Sequence, residues 1–293
     1  MQTGCQRVRF KRGKTPDNAP KTCITTGNIL KNKEAFRKEK LSFARKAVIA
    51  SASVTREKNA IHSFTEVDIS IPRKYLDDYR ERNGERISFT GYLTKCLANT
   101  ITKHPKLNSF ISGNNIVYLK DITISILIER QLNGESIPEP LGIKSCGEKS
   151  LYSIHQEIRS AQKNQDHHLG GLSGNSWFQY IPAFLLKSFI RIADKNIYMG
   201  VEYGKIAMTA VGMFSTNPIW FIPHGSATVL LTIGSINHKV VNVDGVLETR
   251  EHLCLTVSFN HDIVDGAPAA RFMNDLVEEI KRGQEIIDLL APL

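Results

Sequence analysis

The sequence predicts an α+β fold in which a mixed β-sheet is flanked by helices. Residues 64–71 and 253–260 alternate apolar and polar side chains with a period of two, which is typical of strands with one buried face. Residues 269–280 instead repeat apolar side chains at helical spacing. Segments of both kinds follow one another in mixed order along the chain, which favours the α+β class.

The remaining elements follow from the same periodicities and from capping and turn residues. Ser88 is a suitable N-cap for a helix that runs to about Lys103, just before Pro105. The other predicted helices are 73–83, 148–163 and an inserted segment near 176–193. The other predicted strands are 116–119, 122–129, 205–212, 227–234 and 238–243. Loops are predicted around Gly134, Pro138 and Pro140 and over the glycine-rich residues 165–175.

The composition is that of a soluble chain with a sizeable core. The 293 residues are 41% hydrophobic and 23% charged. No apolar run reaches the roughly 20 residues that a membrane span needs, so no span is expected. The five cysteines are odd in number and lack Cys-x-x-Cys spacing, so we expect reduced thiols and a cytoplasmic location.

Positive charge is concentrated at the N-terminus. The chain carries a net charge of +9, and residues 1–46 hold thirteen of the basic residues against three acidic ones. We therefore expect a basic arm over residues 1–44 and a catalytic domain over residues 45–293. The arm is interpreted as a solvated, partly disordered tail, with docking of an acidic partner or wrapping of a neighbouring subunit as alternatives. The arm has only three aromatic residues, Phe10, Phe36 and Phe43, too few to interleave its basic side chains as a single-strand binder requires, so a nucleic-acid partner is not expected.

The segment 258–266 carries a His-x-x-x-Asp-Gly pattern formed by His261, Asp265 and Gly266. It joins the final predicted strand to the final predicted helix, in which Pro268 suits the first turn. His261 should therefore leave the end of a rigid strand and project from the core. Gly266 suits a tight turn, since glycine tolerates positive φ and close approach by another group. Without the surrounding pattern, a lone histidine would be interpreted as a core or capping residue.

Three segments in this order resemble the chloramphenicol acetyltransferase-like superfamily, and within it the catalytic domains of dihydrolipoamide acyltransferases. The segments are 104–108, 204–214 and 259–272, and the resemblance spans roughly residues 45–285. It implies a mixed sheet flanked by helices and a homotrimer, or a multiple of three, with sites between subunits. It also implies that a coenzyme A thioester is a co-substrate, with no tightly bound cofactor and no metal.

The resemblance assigns roles to individual residues. His261 would be the general base that deprotonates a hydroxyl, amine or thiol acceptor for direct attack on the thioester. Thr209 would donate to the oxyanion of the tetrahedral intermediate, although it could equally be an ordinary strand residue. Asp265 would hold the turn by pairing with backbone groups or with an arginine, for which Arg45 and Arg56 are candidates. Four more residues are expected near the substrate, namely Gly266, Asn260, Ser258 and Asn108.

The chain departs from the family pattern in three respects. Asn260-His261-Asp262 stands where many relatives have Asp-His-Arg, so the charge beside the base differs. The inserted residues 176–193 interrupt the pattern, either as an extra core helix or as a wall that shapes an apolar pocket. We expect a free-standing acyltransferase without a lipoyl domain. An enzyme that uses a carrier-bound acyl group, or an inactive structural core with the same fold, are the alternatives. A Gly-x-Ser-x-Gly nucleophile elbow is absent from the sequence.

Overall fold

The computed structural model describes residues 36–132, 135–163, 183–212, 215 and 217–291. The chain divides into two compact units, Met1–Leu41 and Ser42–Leu293, and all the elements below belong to the second. The predicted loop 165–175 with His167 and His168, the first part of the predicted insertion, and the basic arm up to residue 35 lie outside the described residues.

A mixed sheet of six strands forms the centre of the second unit, in the order β1-β8-β7-β6-β4-β5. Strands β4, β6 and β7 are parallel neighbours, and the remaining neighbours are antiparallel. A separate two-stranded sheet pairs β2 with β3. The strands are β1 (Ala60–Asp68), β2 (Ser109–Ser112), β3 (Asn115–Tyr118), β4 (Ile124–Leu132), β5 (Glu135–Ile143), β6 (Ile206–Ala210), β7 (Val229–Val243) and β8 (Val246–Asn260).

Eight α-helices accompany these strands in the described part of the chain. They are α1 (Phe43–Thr55), α2 (Ser70–Asn83), α3 (Phe89–Lys103), α4 (Leu151–Lys163), α5 (Ala183–Lys195), α6 (Ile197–Tyr203), α7 (Gly266–Arg282) and α8 (Gln284–Leu290). Ser88 caps α3 as predicted, because its hydroxyl accepts a hydrogen bond from the Gly91 N–H at 3.3 Å. A 3₁₀ helix, Pro105–Leu107, follows α3.

The two faces of the large sheet have different partners. Apolar residues of α2, α3, α4, α7 and α8 pack with one face to form the main core, which includes Leu93, Ile124, Leu255 and Phe272. The opposite face carries polar and small residues, including Ser125, Ala207 and Thr232, and α1, α5 and α6 lie towards it. The α+β class with a mixed sheet flanked by helices is thus confirmed.

Several element predictions were wrong in detail. The segment with Pro138 and Pro140, predicted as a loop, is part of β5. This strand lies at the sheet edge, where a missing N–H removes no ladder hydrogen bond. The two predicted strands around residue 235 are one strand, β7, with a register shift between Ile233 and Ile236. The short helices α6 and α8 were not predicted, since each has only seven residues.

Three cysteines lie in the described residues, and each is a buried free thiol: Cys96, Cys146 and Cys254. Burial raises the pKa of the Cys146 thiol to about 12. These cysteines therefore behave as small apolar core residues. None of the helices in the described ranges is both long and apolar enough to cross a membrane.

Candidate active site

His261 lies in the turn between the end of β8 and the start of α7. Asn260, the last residue of β8, organises this turn. Its carbonyl oxygen accepts hydrogen bonds from the N–H groups of Ile263 and Val264, and its side-chain oxygen accepts one from the Asp262 N–H at 3.2 Å. The turn therefore leaves the strand in a defined direction, and His261 is exposed at its apex.

Asn59, just before β1, holds the turn from the other side. Its carbonyl oxygen accepts a hydrogen bond from the backbone N–H of His261 at 2.7 Å. Its side-chain amide donates to Asp262 Oδ1 at 2.8 Å. The backbone of His261 is thus fixed, while its imidazole forms no hydrogen bond with any described residue. The ring is therefore free to hydrogen-bond to a bound acceptor, whose proton a general base must reach.

Two clefts open beside the histidine, and Asn260 lines both of them. One has a volume of about 220 Å³ and also borders Asp262, Val54 and Asp194. The other has a volume of about 200 Å³ and also borders His62 and Ser258. Substrate can therefore approach the strand end that carries His261 from either side of Asn260.

Ser258 is paired with His62 across the β1–β8 ladder. The Oγ atom of Ser258 lies 2.8 Å from Nδ1 of His62. Removal from water lowers the pKa of His62, and the neighbouring His224 lowers it further. The second cleft beside His261 is thus lined by a neutral imidazole bound to a buried hydroxyl.

Thr209 lies on β6, on the sheet face opposite the main core. It is directly opposite Thr232 of β7, which is opposite Thr256 of β8, so three threonines form one row across the sheet. Thr209 is 6% exposed, and its hydroxyl has no hydrogen-bond partner among the described residues. The hydroxyls of Thr232 and Thr256 are also buried without a partner.

His261 and Thr209 are not brought together within one chain. From the threonine row, β8 continues for four residues to Asn260, or about 13 Å at the usual rise per strand residue. The row itself spans two strand spacings, or about 10 Å. The combined separation is therefore ~16 Å, far beyond the reach of one carbonyl group, so a site that uses both residues needs two chains.

Asp265 is exposed at the N-cap position of α7, and its carboxylate makes no capping hydrogen bond. It forms no ion pair with either candidate, Arg45 or Arg56, both of which are exposed. Neither of the two expected arginine pairs is thus formed among the described residues. Gly266 has no positive φ and is the first residue of α7, so the backbone conformation expected for it was wrong, while its place near the substrate stays a prediction. A Cβ atom there would meet only open space.

The other two resemblance segments have clear structural roles. Asn108 is 2% exposed, and its side-chain amide donates to the carbonyl oxygens of Leu119 and Asp121 at 3.1 and 2.8 Å. Next to it, the carbonyl oxygen of Ser109 accepts a hydrogen bond from Thr228, whose own carbonyl accepts from the Asn260 N–H. Asn108 thus supports the site through two intervening residues.

Two glycines in the second segment allow close backbone approach. Gly204, just before β6, has a φ of +69°, and a Cβ there would overlap the carbonyl group of Thr123. At Gly212, a Cβ would overlap the backbone of Gly234 in β7. Only glycine fits at these positions, which explains the two glycines on either side of Thr209 in this segment.

Sequence reasoning did not find Asn59 or His62. Asn59 lies 203 residues before its side-chain partner Asp262, and no local pattern marks it. His62 lies in a regular strand, where period-two alternation assigns only a face. Both residues join the site through the β1–β8 pairing, which only the folded chain defines.

Comparison with known protein families places the chain among the acyltransferase catalytic domains. Residues 33–170 and 199–287 match the family described as 2-oxoacid dehydrogenases acyltransferase (catalytic domain), so the chain belongs to this family. The predicted family and enzyme class are thereby confirmed. The match is interrupted between residues 170 and 199, where the sequence predicted an insertion.

Individual relatives agree with this family. The chain is 21% identical over 277 residues to the dihydrolipoyllysine-residue succinyltransferase component of the 2-oxoglutarate dehydrogenase complex of Rickettsia bellii. The match covers 92% of this chain and 61% of the relative, so this chain corresponds to only part of that protein.

Two solved structures share the fold. A probable dihydrolipoamide acetyltransferase from Listeria monocytogenes superposes with a TM-score of 0.63 at 22% identity, covering 84% of this chain and 95% of that one. The cubic core of a pyruvate dehydrogenase multienzyme complex superposes with a TM-score of 0.64 at 16% identity, covering 86% of this chain and 94% of that one.

Proposed function

We propose that the protein transfers an acyl group from a coenzyme A thioester to a hydroxyl, amine or thiol acceptor. His261 acts as the general base, and the acceptor attacks the thioester carbonyl directly, without a covalent acyl-enzyme. The observation that carries this proposal is the arrangement at the end of β8, where the backbone of His261 is fixed by Asn59 and its ring remains unengaged.

Thr209 is proposed as the oxyanion donor, supplied by a neighbouring subunit of a homotrimer. Two features support this role. Its hydroxyl has no partner among the described residues of its own chain. The separation of ~16 Å from the end of β8 prevents it from serving the His261 of the same chain. Closed cyclic symmetry then gives every subunit the same shared site.

Mixing two inactive variants tests the shared site. His261→Ala subunits and Thr209→Val subunits are each expected to lose most of their activity, because each lacks one half of every site. After subunit exchange, some interfaces combine an intact His261 with an intact Thr209, so part of the activity should return. Exchange is verified by mass spectrometry of differently tagged subunits. No recovery after verified exchange, or a fully active monomer by light scattering, would contradict the proposal.

A comparison of turnover rates distinguishes a coenzyme A thioester from a carrier-bound thioester as the acyl donor. Turnover of free acyl-CoA with pooled acceptors supports the proposed donor. Turnover that requires an acylated carrier protein and weakens with added salt would favour the carrier alternative, in which the basic arm docks the carrier. Absence of turnover with both donors would favour an inactive structural core.

A further inference from the structure

Helix α5 lies in the interruption of the family match and is held by ion pairs at two places along its length. Near its middle, Lys187 and Arg191 both pair with Glu57, which follows the C-terminal end of α1. Near its C-terminal end, Asp194 accepts from two lysines. These contacts hold α5 in a fixed position above the sheet, although it is not part of the matched family domain.

The Asp194 cluster is the more buried of the two attachments. Its carboxylate lies 2.7 Å from Lys58 Nζ and 2.9 Å from Lys205 Nζ. The side chains of Asp194 and Lys205 are 9% and 7% exposed. Burial lowers the pKa of Lys205, and the adjacent Asp194 carboxylate partly offsets this effect. The cluster therefore connects α5 to the start of β6 and to the residues before β1.

A cavity of about 560 Å³ lies between α5 and the sheet. Helices α1, α5 and α6 and the sheet face opposite the main core form its walls. Its apolar lining includes Val54, Phe189, Ile190, Ala193, Met199 and Ala207. This volume is within the usual range for small-molecule sites, which are mostly apolar with a few polar groups.

The charged groups in the cavity wall already have partners. Lys205 donates to the side chain and to the carbonyl oxygen of Asp194, the latter at 2.6 Å, and its ammonium lies 4.8 Å from the Phe110 ring centre. Glu139, at the other side, also has an interaction of its own. The cavity therefore suits a neutral apolar group better than an ion, because an added charge would have to be desolvated without a partner.

The cavity adjoins the cleft of about 220 Å³ that borders Asn260 and Asp262, because the two share the wall residues Val54 and Asp194. A ligand with its reactive carbon at the end of β8 would pass these two side chains to reach the space beneath α5.

We infer that this cavity binds the apolar chain of the transferred acyl group, so that the enzyme accepts acyl chains much larger than acetyl. The inference rests on the proposed acyl transfer and names its substrate class. The occupant follows from the apolar side chains of a lining whose charged groups already have partners, from the volume, and from the walls shared with the cleft beside Asn260. Each methylene buried in such a cavity should strengthen binding about fourfold until the cavity is full.

Binding is measured without catalysis and without coenzyme A. The neutral fluorophore N-phenyl-1-naphthylamine is bound to the intact protein and displaced by S-alkyl-N-acetylcysteamine thioethers of increasing chain length. The displacing affinity should rise with each added methylene and then level off. An affinity that is independent of chain length, or no binding of the fluorophore because a second subunit covers the cavity, would overturn the inference.

Variants with larger side chains in the cavity lining test whether the thioethers bind there. Ala193→Leu on α5 and Ala207→Leu on β6 each place a larger side chain in the lining, and should weaken the longest thioethers by roughly tenfold or more. Ser188→Leu adds the same side chain to an exposed position of α5 outside the lining and should change nothing. Equal affinities in all three variants, with circular dichroism confirming that each is folded, would overturn the inference.

Failure of this inference is distinct from failure of the proposed function. Turnover of acetyl-CoA without chain-length dependence would leave the acyltransferase in place and remove the apolar site. Chain-dependent binding that responds to the filled variants, with no turnover of any acyl donor, would keep the apolar site and contradict the proposed acyl transfer.

Discussion

The backbone N–H of His261 and the carbonyl oxygen of Asn59 form a hydrogen bond of 2.7 Å that joins the end of β8 to the residue before β1. Strand pairing places Ala60 opposite Asn260, so this bond continues the β1–β8 ladder by one step beyond the sheet. The sheet therefore holds the backbone of the turn that carries His261. A base on a rigid element loses little entropy when it reaches the reactive geometry.

Replacement of His261 with alanine should lower kcat/KM by at least ~10²-fold, the usual contribution of a general base. The melting temperature should hardly change, because the ring is exposed and makes no hydrogen bond within the described chain. Activity and thermal unfolding are measured on the same preparation. His238→Ala, at an exposed histidine in the distal half of β7, is the matched control and should remain fully active. Wild-type turnover by a folded His261→Ala protein would rule out the mechanism.

Replacement of Thr209 with valine keeps the shape and deletes the hydroxyl. If this hydroxyl holds the oxyanion, kcat should fall by roughly 10²-fold with little change in KM. Thr232→Val is the control, because Thr232 lies directly opposite in the same row and its buried hydroxyl is also unpaired. That variant should keep its activity and be as stable as the wild type or more stable, since it removes an unsatisfied polar group. Equal kinetic effects in the two variants would assign Thr209 a packing role.

Asp265→Asn should leave the melting temperature of the isolated subunit nearly unchanged. The carboxylate is exposed, caps nothing and has no ion-pair partner in the described part of its chain, so its removal leaves no buried charge uncompensated. A fall in kcat at constant melting temperature would assign the carboxylate to the assembled site. A large loss of stability in the monomer would instead reveal a partner that this structure does not contain.

The free energy of unfolding should decrease as the pH is lowered, and His155 is one cause. This side chain is 3% exposed, and its Nδ1 accepts a hydrogen bond from the Ser88 N–H at 3.0 Å. Burial lowers its pKa below the ordinary 6.5, and the nearby Arg159 adds to this effect. Below pH ~6.5, His155 therefore binds a proton more readily in the unfolded chain than in the folded chain. The free energy of unfolding decreases as the pH falls for this reason.

The measurement is urea unfolding of wild type and His155→Gln between pH 8 and pH 5. Glutamine does not titrate, so the slope of the unfolding free energy against pH should become smaller. Some slope should remain, because the pKa of His62 is also lowered by burial. His238→Gln, at an exposed histidine, is the control and should retain the wild-type slope. The same slope in all three proteins would contradict this assignment.

Local patterns predicted most of the secondary structure. The alternation before His261, the Ser88 cap and the helical spacing after Pro268 each depend on neighbours within a few residues, and the structure confirms them. The error at Pro138, where a loop was predicted and strand β5 is observed, has a different origin. Proline is compatible with a strand only at a sheet edge, and the edge position of β5 is a property of the topology.

The sequence by itself determined the fold class, the family and the placement of His261 at a strand–helix turn, because short-range periodicity and one motif encode them. Only the tertiary structure decided which groups surround that histidine. Asn59, His62 and the Asp194 cluster reach their positions through contacts across more than half of the chain or between separate elements. Such contacts depend on strand register and helix packing, which no local pattern specifies. For the same reason, only the folded chain shows that Thr209 lies too far from its own His261 to share a site with it.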